Sequence, residues 1–412
     1  MRPYCLPVVV RSRLTVCAGL LIVAWVTTLQ CSDVPAPPTG PPPQDAQTRN
    51  AFQHFYDLDY DVAVNDFRQS LKAHPDDPFA VNHLLAAVLH RELYRVGALD
   101  TSLYVSNRFL TRKKFPIDPK VTAEVKELFD RAQTLSDARL ARDPKDVQAL
   151  YTRGMTRGLR SEYLAIVEKA WFAALRNAVG ARHDHEEVLR LAPNYADAKT
   201  VVGVHNYVTG SLPWSVKAAA SLVGISGSRK KGIQYLHDAA DAGGETSPDA
   251  RIALVLFLRR DHRFDEALTE LHTLIAAHPR NYLYALEEAH ILSDAGRGHE
   301  AIAVYRRVLA VAREGKMYYN PHLEMAEFGL GEALRGQHDF AGAAAAYEAV
   351  RESPSADSEL VGSANLAAGE MYDLLQKREL AVQKYQAVIT ANANSSSVEA
   401  ARRYLKEPYR NP

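Results

Sequence analysis

From about Asp45 to Pro412, apolar residues recur at i, i+3 and i+4, and the alternation of a half-buried strand is absent. This period lays one apolar stripe along each of a series of helices. Within the stripes, an alanine followed four residues later by an aromatic residue or leucine keeps returning. The pairs are Ala63/Phe67, Ala267/Leu271, Ala301/Tyr305, Ala343/Tyr347 and Ala381/Tyr385. Where a segment ends in a tight turn, a proline stands twelve residues after the alanine: Pro75 after Ala63 and Pro279 after Ala267. Gly331 and Gly369 each precede their alanine by twelve, placing a residue without a side chain where two paired helices cross most closely. The first pair reads clearly. Ala51, Phe52 and Phe55 face one way, Asp57-Leu58-Asp59 turns, and Tyr60, Ala63, Val64, Phe67 and Leu71 line the second helix. His74-Pro75-Asp76-Asp77-Pro78 then ends it, because proline cannot continue a helix and aspartate caps the next one.

The alanine stations are 34 residues apart from Ala267 to Ala301, then 42 to Ala343 and 38 to Ala381. A beat near 34 with Ala-x3-aromatic and a closing proline resembles the tetratricopeptide repeat (TPR). The resemblance implies an all-α fold, a TPR-like α-solenoid built as a right-handed superhelix of helix hairpins. The middle departs from the regular beat. Gly154 finds its station only at Ala181, with Pro193 twelve further on, and Gly203 finds its own at Gly232/Leu236/Ala239. The first surplus predicts a long amphipathic helix from Glu162 to Leu191, with Leu164, Val167, Trp171, Leu175 and Val179 on one side. The second, Thr209 to Ser228, carries one charge, Lys217, and reads either as a buried helix or as an exposed apolar element touching a membrane or partner. Middle repeats with elongated or inserted helices are therefore expected.

Between roughly 150 and 280, three stretches carry a more specific likeness: Lys169-Ala170-Trp171-Phe172, Leu191-Ala192-Pro193-Asn194-Tyr195 and Gly227-Ser228-Arg229-Lys230-Lys231-Gly232. They resemble the core of bacterial envelope TPR lipoproteins of unassigned function. More distantly, the arrangement is similar to a eukaryotic TPR family associated with the outer mitochondrial membrane. The resemblance implies no catalytic residues.

At the N-terminus, Arg2, Arg11 and Arg13 precede the uncharged run 14–29, LTVCAGLLIVAWVTTL, which has the layout of an export signal. Cys31 follows, then Ser32, Asp33 and a proline-rich tract from Pro35 to Pro43. An apolar run, a cysteine and a polar tether resemble a bacterial lipoprotein signal, which implies Cys31 as the lipidation candidate. Thr28 and Gln30 depart from the usual lipobox, so an uncleaved anchor and ordinary secretion stay open. Each alternative places the body outside the cytoplasmic membrane, exported and membrane-tethered at the bacterial cell envelope in the first two. The expected organisation is 1–31 signal peptide or membrane anchor, 32–46 Pro-rich linker, 47–230 irregular TPR-like region and 231–412 regular TPR array. The linker reads as a stiff polyproline spacer.

Composition narrows the function. The 412 residues hold 49 Lys+Arg against 49 Asp+Glu, so no global field favours nucleic acid. The three cysteines, Cys5, Cys17 and Cys31, all precede the repeats, leaving the body without a disulfide or thiolate metal site. The densest cluster of ligand-type residues, Arg182-His183-Asp184-His185-Glu186-Glu187, separates its histidines by two, whereas a helical zinc pair needs four. It reads as a solvated face. The glycines and basic residues from Gly224 to Gly232 lack P-loop spacing and read as a capped turn. No G-x-S-x-G elbow is present. No catalytic residue, metal or cofactor is expected.

Binding is expected instead. In such a stack the first helix of each pair lines a concave groove. Counting from the alanines, that groove includes Arg259, Arg260, His290, Glu332, Arg335, Glu370 and Asp373, beside apolar Leu256, Leu286 and Phe328. The first arginines precede most of the acids, a divided polarity suited to a protein or peptide ligand of mixed charge. The reading is a non-catalytic TPR scaffold for protein–protein interactions. The alternatives are a solute- or lipid-binding accessory protein with a pocket near 209–228, and an enzyme within a helical-repeat fold.

Overall fold

The computed structural model describes residues 36–105, 114–214, 217, 226–391 and 396–410. The expected signal or anchor at 1–31, the lipidation candidate Cys31 and half of the 209–228 insertion lie outside the described residues. Among those described, every regular element is helical, and no helix is long and apolar enough to cross a membrane.

Among the described residues, eighteen α-helices follow one another, largely as antiparallel hairpins. The first stretch holds α1 (Ala46–Tyr56), α2 (Tyr60–Ala73), α3 (Pro78–Arg95), the short α4 (Ser102–Val105), α5 (Pro119–Arg142) and α6 (Val147–Tyr163). Then come α7 (Trp171–Leu191), α8 (Ala198–Gly210) and α9 (Arg229–Asp241). The regular array runs through α10 (Ser247–Arg260), α11 (Phe264–Ala277), α12 (Tyr282–Asp294), α13 (Gly298–Arg313), α14 (Leu323–Gly336) and α15 (Phe340–Ala349). It closes with α16 (Ser358–Leu374), α17 (Arg378–Ala391) and α18 (Ser396–Lys406). The starts obey local chemistry. Asp77 accepts from the Phe79 N–H at 3.0 Å ahead of Pro78, and Asn281 accepts from the Tyr284 N–H at 3.1 Å.

The alanine stations occupy the buried helix crossings that their register predicts. Ala63, Ala267, Ala301, Ala343 and Ala381 are all 0% exposed. The glycines twelve residues earlier lie under the station aromatics: a Cβ on Gly331 would stand 2.5 Å from the Tyr347 ring, and one on Gly369 equally close to Tyr385. In the middle, Gly203 and Gly232 bring α8 and α9 into backbone contact, as their offset stations anticipate.

One periodic device has no residue signature. Five positions before each station alanine the turn adopts the left-handed conformation: Leu58 (φ 64°), His262 (57°), Gly296 (75°), His338 (59°) and Gln376 (60°). The next N–H then reaches back to the preceding helix, for example Asp339 N to Leu334 O at 3.0 Å and Lys377 N to Tyr372 O at 2.8 Å. Glycine occupies this position once. Since a side chain costs about 1 kcal/mol in that conformation, His338→Gly and Gln376→Gly are each expected to raise stability by up to about 1 kcal/mol in urea titrations.

Two expectations change. The helix expected from Glu162 to Leu191 is interrupted: residues Leu164–Glu168 form a π-helical turn and Lys169 turns left-handed at φ 55° before α7 starts at Trp171. The interruption rotates the stripe, so Val167 is buried while Trp171 and Leu175 reach the surface beside a 92% exposed Phe172. The proline tract, expected to be a spacer, runs against the body over residues 38–44. Gln148 donates to the Gly40 carbonyl at 3.0 Å, and the Gln44 side-chain amide donates to Glu245 at 2.7 Å.

The superhelix also curls onto itself. Asn281 donates to the Tyr56 carbonyl at 2.6 Å, His322 Nε2 to the Tyr94 carbonyl at 2.7 Å, and the Tyr319 hydroxyl to Asp61 at 2.6 Å. The first hairpin and α3 thus line the inner side of the array. Apolar and aromatic residues around almost the whole circumference of α3 suit a helix enclosed on all sides.

Candidate functional site

The inner helices α10, α12, α14 and α16, with residues 95–103 and 115–116, bound an open cleft of about 650 Å³. Arg259 stands at the end of α10 and is 5% exposed. It pairs with Glu287 of α12 at 3.0 Å and with Asp294 at 2.7 Å. Glu287 is equally buried, accepts a hydrogen bond from Thr101 and has His290 Nδ1 3.4 Å away. Burial pushes the Glu287 carboxyl up, but the His290 hydrogen bond and the Arg259 charge outweigh it and hold it below the ordinary value. This cluster anchors the 95–104 segment against the array.

Further along, the Tyr347 hydroxyl donates to Glu332 at 2.5 Å, which aims that exposed carboxylate at the cleft. Phe328 and Met325 supply an apolar floor, while Asp100, Asp294, Glu324 and Asp357 add carboxylates to the lining. Carboxylates outnumber the two arginines there, Arg95 and Arg259, and both arginines already have acidic partners. The cleft is acidic with an apolar floor.

The seven expected groove residues therefore separate. Arg259, His290 and Glu332 line the cleft. Arg335, Glu370 and Asp373 gather under the chain's own C-terminal segment: Arg335 pairs with Glu370 at 3.0 Å and donates to the Tyr409 hydroxyl at 2.9 Å. Asp373 accepts the Tyr409 N–H at 2.8 Å and pairs with Arg378 at 2.9 Å. Burial, helped by Glu332, holds the Glu370 carboxyl above its ordinary value despite Arg335. Arg260 is exposed and outside the cleft lining. The divided polarity expected from chain order does not appear, because helix pairing sets each lining arginine beside a carboxylate. The contribution of residues 95–103 and 115–116 has no spacing signal in the sequence, and its only forewarning is the all-round apolar character of α3.

The 182–187 cluster also resolves. Asp184 is buried between Arg153 at 2.6 Å and Arg157 at 2.7 Å. His185 Nδ1 donates to the Ala181 carbonyl at 2.8 Å, and burial lowers its pKa. Part of that face is thus core, where a solvated face was expected. Among the described residues no group of three or more His, Cys, Asp and Glu residues could hold a metal ion.

Residues 252–316 and 328–396 match the family described as the tetratricopeptide repeat. No curated protein matches the chain. Among solved structures, the APC/C hetero-tetramer Cut9–Hcn1 is similar at 13% identity and TM-score 0.47. That match covers 87% of this chain and 54% of the other, so the chain spans about half the length of that relative. A tetratricopeptide repeat protein from Parabacteroides merdae is similar at 13% identity and TM-score 0.35, covering 79% of this chain and 99% of its own. Yeast Tom70 is similar at 12% identity and TM-score 0.35, covering 87% of each. With its alanine–aromatic stations, closely crossed hairpins and the family match, the regular array over residues 252–316 and 328–396 is built of tetratricopeptide repeats.

Proposed function

We propose that the protein is a non-catalytic scaffold that holds an extended peptide of a protein partner in the concave cleft, at the bacterial cell envelope. The observation that carries this reading is the open, acidic, apolar-floored cleft across four inner helices. A basic peptide with one apolar anchor suits it: the anchor packs on Phe328 and Met325, and basic side chains meet Glu332 and Asp294. The contact surface proposed from sequence contracts to Arg259, His290 and Glu332, because Arg335, Glu370 and Asp373 hold the C-terminal segment. The envelope setting and membrane tether rest on the layout of residues 1–43, with Cys31 as the attachment point.

Peptides selected on the full chain from a displayed library are expected to be basic with an apolar anchor. Phe328→Ala and Glu332→Arg should each weaken them about tenfold, the scale of an interface hot spot. Unchanged binding in both variants would remove the cleft from the mechanism. In cells fed a labelled lipid precursor, label on the wild type and none on Cys31→Ala is the expected result for the tether.

A further inference from the structure

Behind the cleft lies a second cavity of about 270 Å³, between the first hairpin and the inner faces of α10 and α12. Asp100 and His290 line both spaces, so they form the partition between them. Its walls are largely apolar: Ile252, Leu256, Leu283 and Ile166 are only partly buried, and they line this space. Partly buried aliphatic side chains on the inner faces of packed helices leave an apolar space that water fills poorly.

Four carboxylates interrupt that apolar surface, Asp100, Glu162, Asp249 and Glu287. Asp249, in the first turn of α10, lines the cavity and keeps accessible surface. It accepts a hydrogen bond from the Tyr56 hydroxyl at 3.1 Å. Among the described residues it has no ion pair. The other ionisable groups nearby are already engaged. His90 Nε2 lies 3.5 Å from Glu162 and its Nδ1 donates to the Ala86 carbonyl, His290 Nδ1 lies 3.8 Å from Asp100, and Glu287 belongs to the Arg259 cluster. Burial pushes the Asp249 carboxyl up to about 6, against the pull of His90 and the Tyr56 hydrogen bond. A carboxylate set among apolar walls without a counter-ion favours a cation that a ligand delivers.

We infer that this cavity binds a small hydrophobic amine, its ammonium group on Asp249 and its hydrocarbon against Ile252, Leu256 and Leu283. The apolar walls favour hydrocarbon over water, and the single uncompensated carboxylate selects a cationic head over a neutral or anionic one. The site is distinct from the peptide cleft and does not depend on that assignment.

The test is isothermal titration of the full chain with n-octylamine, n-octanol and n-octanoate, at a pH well above the Asp249 value of about 6. The amine is expected to bind at one site and more tightly than octanol, with octanoate the weakest. Asp249→Asn should weaken the amine at least about tenfold, the scale of one charged hydrogen bond, and bring it level with octanol. Leu256→Trp, which fills the cavity and leaves Asp249 in place, should abolish binding of both. Thermal unfolding of each variant confirms that it is folded. Equal affinity for amine and alcohol, amine binding unmoved by either folded variant, or no binding by the wild type would each overturn the inference.

Discussion

Glu287→Ala is expected to cost about 3–5 kcal/mol of folding free energy, the range for removing one partner of a buried ion pair. Arg259 and Glu287 are each only 5% exposed, and Asp294, at 38% side-chain exposure, is a poorer counter-ion than the carboxylate lost. The variant also releases Thr101, so the 95–104 segment should lose amide-exchange protection together with the global loss. Replacing both partners, Arg259→Met with Glu287→Leu, should recover much of the deficit, because apolar groups of similar volume leave no buried charge unmatched. The pH dependence follows from the lowered carboxyl of Glu287. Its contribution is complete above the unfolded value of about 4.5 and is lost as pH falls through the lower folded value. The gap between variant and wild type in urea titrations should therefore narrow in acid. A gap of under about 1 kcal/mol near neutrality would show that the pair is solvated.

Gly232→Ala is expected to be nearly as damaging, about 3 kcal/mol, at the upper end for overpacking. The added Cβ would stand 2.6 Å from the Tyr207 nitrogen and 2.7 Å from the Gly203 carbonyl oxygen, both backbone atoms that no rotamer change can move. Helices α8 and α9 must separate to admit it. That separation would disturb Tyr207, stacked on Phe257 at 3.8 Å and hydrogen-bonded to Asp261 at 2.7 Å. Gly362→Ala within α16 is the matched control, since its Cβ meets nothing within 4 Å. There helix propensity alone should add up to about 1 kcal/mol. Equal thermal midpoints for the two variants would contradict the close crossing.

These two sites differ in how far they were legible beforehand. Gly232 belongs to a spaced set with Leu236 and Ala239, and its offset from Gly203 already marked a hairpin with extra chain between its helices. The Arg259–Glu287–Thr101 cluster carries no such spacing. Its members are far apart in sequence, and chain order placed Arg259 on an open groove that it only partly faces. Asp249 was equally silent, an ordinary acid in a first helical turn until the fold set it against Tyr56 in the lining of the cavity.

Local period and spacing along the chain are enough to set the all-α repeat architecture, the buried alanine stations and the glycine crossings. These depend on local period and on contacts between helices adjacent along the chain, where short turns leave few alternatives. Tertiary structure alone decided how far the superhelix curls and what fills its inner side. Small angles between successive hairpins accumulate over many repeats, and no single residue encodes their sum. That curl brings Tyr56 to Asn281 and Tyr94 to His322, divides the inner space into an acidic cleft and an apolar cavity, and turns expected surface charges into buried pairs.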